Sequence, residues 1–318
     1  MKRMRTLITI AATALLLTGA AMPLAAAEEE NELDRALRIA ASIDDDDALV
    51  RLVEQGANVN AANRYGKTAL MNAVESGNIV AASMLLSMGA DVNQKTVDGC
   101  TALTLAASQG ELELTALLLE RGADLEARSR TGHTALILAA HYGIVDMTEQ
   151  LLFKQADPNA RDRRQMTALM HAATRGFSEV VRLLLDNGAD VALRDEHGLT
   201  ALMHAATVAG NGEILEMLLA AGAEVNARAE DSSTALMWAA GNADAASLEV
   251  LLQHGATIDL PDDRGMTPLM EAVSANAEDC VRLLLAHGAD RNAHAFDGRS
   301  AIDFAQRRPE ILELLAIP

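Results

Sequence analysis

Thr167-Ala168-Leu169-Met170-His171-Ala172-Ala173, then Gly176, then Val180-Val181-Arg182-Leu183-Leu184-Leu185 and Gly188-Ala189-Asp190, is the stretch that decides the fold. Thr beside an apolar-periodic run suits a helix start. Gly shortly after a Leu-Leu-Leu run suits a left-handed helix stop. Gly176 between the two runs supplies a turn. The stretch therefore reads helix, turn, helix. The finger that follows carries Asp195-Glu196-His197-Gly198.

Outward from this stretch the pattern repeats. Thr-Ala-Leu recurs at Thr68, Thr101, Thr134, Thr167, Thr200 and Thr234, continued by Thr267-Pro268-Leu269 and Ser300-Ala301-Ile302. The intervals are 33, 33, 33, 33, 34, 33 and 33 residues. At about 100 to 200 residues per domain, 318 residues would suggest two domains. A fixed period means one continuous stack instead.

Composition agrees. Half the residues are hydrophobic, yet only four Phe, two Tyr and one Trp are aromatic. The apolar material is mainly Ala, Leu, Val, Ile and Met, which favours helices over a β-sandwich. The formal net charge of -19 repels phosphate backbones, and few aromatics remain for base stacking, so nucleic acid is excluded as a partner. Two cysteines, Cys100 and Cys280, cannot build a Cys/His cluster or a disulfide scaffold. Five repeats at about 10 Å each would hold them about 50 Å apart. Cys280 is expected to be buried, and Cys100 is the thiol that could pair between chains.

At the amino terminus Lys2, Arg3 and Arg5 precede an apolar run from Leu7 to Leu17, then Ala25-Ala26-Ala27. These features make a secretory signal peptide over residues 1–27, of a bacterial form. Its strongly apolar part is about half of a membrane span, so cleavage after Ala27 would leave no transmembrane segment. The mature chain, 28–318, would carry a charge of -22, because the leader takes three positive charges and no acids with it.

The units resemble ankyrin repeats, whose consensus pairs T-P-L-H-x-A-A with L-L-L-x-x-G-A-D-x-N. The resemblance covers about residues 32 to 318. It implies an all-α solenoid: an amino-terminal cap over 28–62, seven repeats over 63–295 and a truncated carboxy-terminal cap over 296–318, with Pro309 opening its last helix. Where the consensus has His, this chain has Met71, Met170, Met203, Met237 and Met270. Apolar packing is expected to replace the family's Thr-His hydrogen bond. Unit five carries one extra residue near Ala209-Gly210-Asn211-Gly212. Gln155 stands where other units have Gly56, Gly89, Gly122, Gly188, Gly222, Gly255 and Gly288.

No nucleophile elbow, phosphate loop or His-Glu-x-x-His helix is present, so no enzyme is expected. No cofactor is expected either. No two of the eight His stand at i, i+4, and equivalent positions on adjacent repeats lie about 10 Å apart. No metal site is therefore expected. The Met ladder reads as core, and His171 and His204 read as exposed polar residues on the inner helices. The acidic run Asp44–Asp47 lacks calcium-loop spacing and reads as helix capping.

The resemblance implies protein–protein recognition through fingers and inner helices, by a monomeric scaffold of the bacterial periplasm or exterior. Trp, Tyr and Arg dominate binding energies. The expected contact residues are thus Trp238, Tyr142, His141, His171, Arg175 and His204 along the groove, with Tyr65, Arg163 and Arg164 on the fingers. Trp238 is equally readable as packing between repeats. Other readings are an immunity or accessory factor for a secreted enzyme, an oxidative-stress role known for periplasmic ankyrin proteins, a host-directed binder, or an unrecognised hydrolase.

Overall fold

The computed structural model describes residues 31–43 and 45–316. The expected signal peptide lies outside the described residues, as does Asp44. Eighteen helices are found among the described residues, and no named strand. The first helix of each unit joins an inner row: α1 (Glu32–Ser42), α3 (Ala69–Glu75), α5 (Ala102–Gln109), α7 (Ala135–Tyr142), α9 (Ala168–Arg175), α11 (Ala201–Ala206), α13 (Ala235–Gly241), α15 (Pro268–Ala275) and α17 (Ala301–Ala305). The second helices form an outer row: α2 (Asp46–Glu54), α4 (Ile79–Ser87), α6 (Leu112–Glu120), α8 (Val145–Phe153), α10 (Ser178–Asp186), α12 (Gly212–Ala220), α14 (Ala245–Gln253), α16 (Glu278–Ala286) and α18 (Pro309–Ala316). Each helix packs on its own partner and on its counterparts in adjacent units. Helices this short are marginal alone, so stacking is what holds them.

Local chemistry sets each boundary. From Thr68 to Thr267 the motif Thr caps its inner helix, its hydroxyl accepting from the backbone N–H three residues on. Asp45 caps α2 in the same way, with Asp46 and Asp47 in the first turn, as expected of the acidic run. Met71, Met170, Met203, Met237 and Met270 are all buried, so the ladder is core. Cys280 is fully buried and Cys100 half-buried, both as free thiols. The extra residue of unit five falls in the turn between α11 and α12, outside the helix packing.

Loops are tied across units by a ladder of side-chain amides. Asn60 donates through Nδ2 to Gly89 O and accepts through Oδ1 from Asp91 N–H. Asn93, Asn159 and Asn226 repeat the double link one unit further on. Glu126 and Asp259 can only accept, from Asp157 and Asp290. Ala192 occupies the register between Asn159 and Asn226 and can do neither.

Gln155 adopts φ +67. Its equivalents Gly56, Gly89, Gly122, Gly188, Gly222, Gly255 and Gly288 have φ between +83 and +97, with open space where a Cβ would stand. The cost of a side chain here is therefore backbone strain without collision, about 1 to 2 kcal/mol. Gln155→Gly is expected to raise the urea midpoint by a corresponding amount. A lowered midpoint would show that Gln155 makes a compensating interaction.

Candidate functional site

In two adjacent fingers a carboxylate reaches the inner helix that follows it. In the finger before α9 this is Asp162. Its Oδ1 accepts from the N–H groups of Arg164 and Met166, at 2.8 and 2.9 Å, which closes the finger turn. Its Oδ2 is thereby aimed at α9, where it meets His171 Nε2 at 2.9 Å. Asp195 does the same one unit later, accepting from His197 and Leu199 and meeting His204 Nε2 at 3.0 Å. His171 and His204 are only 9% and 8% exposed. The expectation that they are exposed polar residues is corrected: the finger carboxylate covers each ring and satisfies its inner nitrogen. A buried polar group needs such a partner.

Around His171 the site widens. His141, at the end of α7, places Nδ1 3.2 Å from His171 Nδ1, and Arg175 donates to His141 Nε2 at 2.7 Å. The Tyr142 ring stands edge-on to His141, with centroids 5.0 Å apart. His133, from the preceding finger, brings Nε2 to 3.4 Å from Asp162 Oδ2. Burial alone would raise the Asp162 carboxyl. Hydrogen bonds from His133, His171 and the Met166 N–H outweigh it and hold the group well below the usual carboxylate range. Burial, then the Arg175 cation and the rings of His171 and His133, push His141 down to about 4. That direction fits a ring nitrogen accepting from an arginine.

His141, Tyr142, His171 and Arg175 are thus brought together. His204 stands one unit away, its Nδ1 3.2 Å from Thr174 Oγ1. Asp195, His204 and Thr174 form a carboxylate–imidazole–hydroxyl series. The Thr174 hydroxyl, however, donates to Met170 O at 2.8 Å, so the series acts as a brace between units. Trp238 is half-buried against the core, and its buried Nε1 has no hydrogen-bond partner. The ring thus packs against the core and keeps part of its surface open to the groove side. Tyr65 is exposed, with Arg64 over its ring, on an early finger. Arg163 and Arg164 are exposed on the finger of Asp162, and Arg164 pairs with Glu196 of the next finger at 3.0 Å.

Sequence reasoning missed His133 and Asp162. It compared equivalent positions and i, i+4 neighbours. The contacts run instead between unlike positions, 29 and 9 residues apart in the chain. The same 29-residue separation links Asn60 to Gly89 O, so the register brings such positions near one another, but the lean of the finger that completes the contact is not written in the spacing.

A family model described as ankyrin repeats (three copies) matches residues 11–96, 89–162, 148–229, 206–295 and 236–317. No curated protein matches this chain.

Proposed function

The chain belongs to the ankyrin repeat family, and from that premise we propose that it is an exported bacterial scaffold that grips an acidic segment of a partner protein. Stacks of this family bind proteins and are typically non-catalytic. One observation supports the choice of partner chemistry. In a chain of net charge -19, Arg128, Arg130, Arg163, Arg164 and Arg175 all lie exposed on two adjacent fingers and the inner helix beside them. Tyr142, 54% exposed, stands among them. Exposed arginines with a neighbouring tyrosine make the type of patch that dominates interface energies. Charge would also steer an acidic partner toward this patch. The long-range part of that attraction weakens with salt.

The test is crosslinked affinity capture from the native envelope. Combined Arg163→Glu, Arg164→Glu and Arg175→Glu is expected to weaken capture at least tenfold without lowering the melting temperature. Trp238→Ala should leave capture intact and lower stability instead, because the ring packs on the core. Capture unchanged by the arginine reversals would move the contact away from this patch. Recovery of the protein from cytoplasm alone, with Met1 intact, would refute export.

A further inference from the structure

We propose that His133, Asp162 and His171 form a binding site for a divalent first-row transition-metal ion of borderline softness, such as zinc. One ligand atom from each of His133, Asp162 and His171 lies within 4.8 Å of the other two. Two of the edges are 2.9 and 3.4 Å. Ligand bonds of about 2.0 to 2.1 Å in a tetrahedron give edges of about 3.3 Å. Those two edges therefore need to change by about half an ångström or less. Two imidazoles and a carboxylate suit such an ion. Three protein ligands leave a fourth position, on the half-exposed His133 side, for water or a donor from a bound molecule.

The outer contacts that a ligand set needs are also present. Asp162 is fixed through Oδ1 by two backbone N–H groups. His133 has Nδ1 against Thr131 Oγ1 at 3.3 Å. His171 has Nδ1 against His141. Second contacts of this kind orient ligands and tune their affinity.

The repeat supplies its own comparison. One unit on, the same register holds Met166, Asp195, His204 and Thr174 in place of His133, Asp162, His171 and His141. The carboxylate–imidazole brace is built equally well there, at 3.0 Å. The brace thus accounts for Asp162 and His171, and it works with a buried methionine at the third corner. It does not account for His133, a second imidazole directed at the same carboxylate oxygen.

Ion binding would reverse a hydrogen-bond chain. In the ion-free arrangement Arg175 donates to His141 Nε2, His141 Nδ1–H donates to His171 Nδ1, and His171 Nε2–H donates to Asp162. An ion on His171 Nε2 requires that ring to carry its proton on Nδ1, where it donates to His141 Nδ1. His141 then holds its own proton on Nε2, facing Arg175. Both rings stay neutral and no net proton leaves them. Arg175 must turn into solvent, so it opposes the ion through its hydrogen bond as well as its charge.

Titration calorimetry of the purified, chelator-stripped protein with Zn(II), and the visible spectrum with Co(II), test the site. One equivalent is expected to bind, with a low-symmetry four-coordinate cobalt spectrum. His133→Met, which copies the next unit, should weaken binding roughly tenfold or more with the melting temperature of the metal-free protein unchanged. If that variant melts early, His133→Gln serves in its place. His204→Gln should leave binding unchanged, and Arg175→Ala should tighten it. Absence of saturable one-equivalent binding, or binding that survives loss of His133, overturns the site. Binding abolished by His204→Gln also overturns it. Weaker binding in Arg175→Ala overturns the proposed reversal.

Discussion

Asp195→Ala is expected to cost about 1 to 3 kcal/mol, the penalty for leaving a buried donor without its acceptor. The carboxylate accepts from His197 N–H, Leu199 N–H and His204 Nε2. Alanine leaves all three donors without their acceptor, and the ring of His204 lies too deep to turn to bulk water. Asp195→Asn should cost less, because an amide oxygen keeps part of the acceptor set. The pair of variants also has a pH signature. Burial alone would raise the Asp195 carboxyl. Hydrogen bonds from His204, Leu199 and His197 outweigh it and lower the group below its usual value. The folded state thus holds the charge where the unfolded chain has already bound a proton. Its contribution is fully present above the ordinary carboxylate value of about 4 and is lost as pH falls below it. The gap between wild type and Asp195→Asn in urea should accordingly be widest near neutrality and narrow below about pH 4. A constant gap would mean that the carboxylate is equally stabilised in the unfolded chain. A loss under 1 kcal/mol for the alanine variant would mean that water replaces the carboxylate.

Met170→Ala is the second large effect. The side chain is 1% exposed and stands in α9 at the ladder position, with Met203 in the same register of the next unit. Truncating a buried Met costs about 2 to 5 kcal/mol, the spread depending on how far the cavity collapses. In a stack where each unit touches its neighbours, such damage also lowers the coupling between the two halves. Trp238, the sole tryptophan, reports from α13, well beyond the lesion. Far-UV circular dichroism and Trp fluorescence should coincide through unfolding of the wild type and separate in Met170→Ala. Coincident curves in the variant would show that the halves remain one cooperative unit.

The fold was legible because its determinants are local and repeated eightfold. A Thr cap, an apolar run and a glycine stop can each be read from neighbouring residues. Burial of the Met ladder, the left-handed Gln155 and the placement of the extra residue near Asn211 all follow from register. The histidines were harder. His171 is flanked by Met170 and Ala172 in an inner helix, and its own segment leaves open what covers its outer side. The answer lies nine residues upstream, in a finger carboxylate whose direction is set by two backbone N–H groups. His133 reaches the same carboxylate from another unit. Such contacts depend on how far each finger leans over the next helix, a distance that spacing along the chain does not encode. The arginines were visible singly as Arg163, Arg164 and Arg175. Their concentration with Arg128 and Arg130 on adjoining fingers required the stack.

The missing amide at Ala192 has a mechanical consequence. Compliances of elements joined in series add, so the softest junction takes the largest share of any bend. Between the units ending at Ala189 and Ala223 the loop edge lacks the amide rung and keeps the Arg194 side chain, which donates to Arg228 O at 2.5 Å. The opposite edge is pinned there by Asn211, which donates to Ala173 O at 3.1 Å and to Ala205 O at 3.0 Å. A junction with fewer ties on one edge bends more easily about the other. The junction near the middle of the solenoid thus has one amide tie fewer than its neighbours, and any bend there would change the angle between the arginine fingers and the carboxy-terminal third of the molecule.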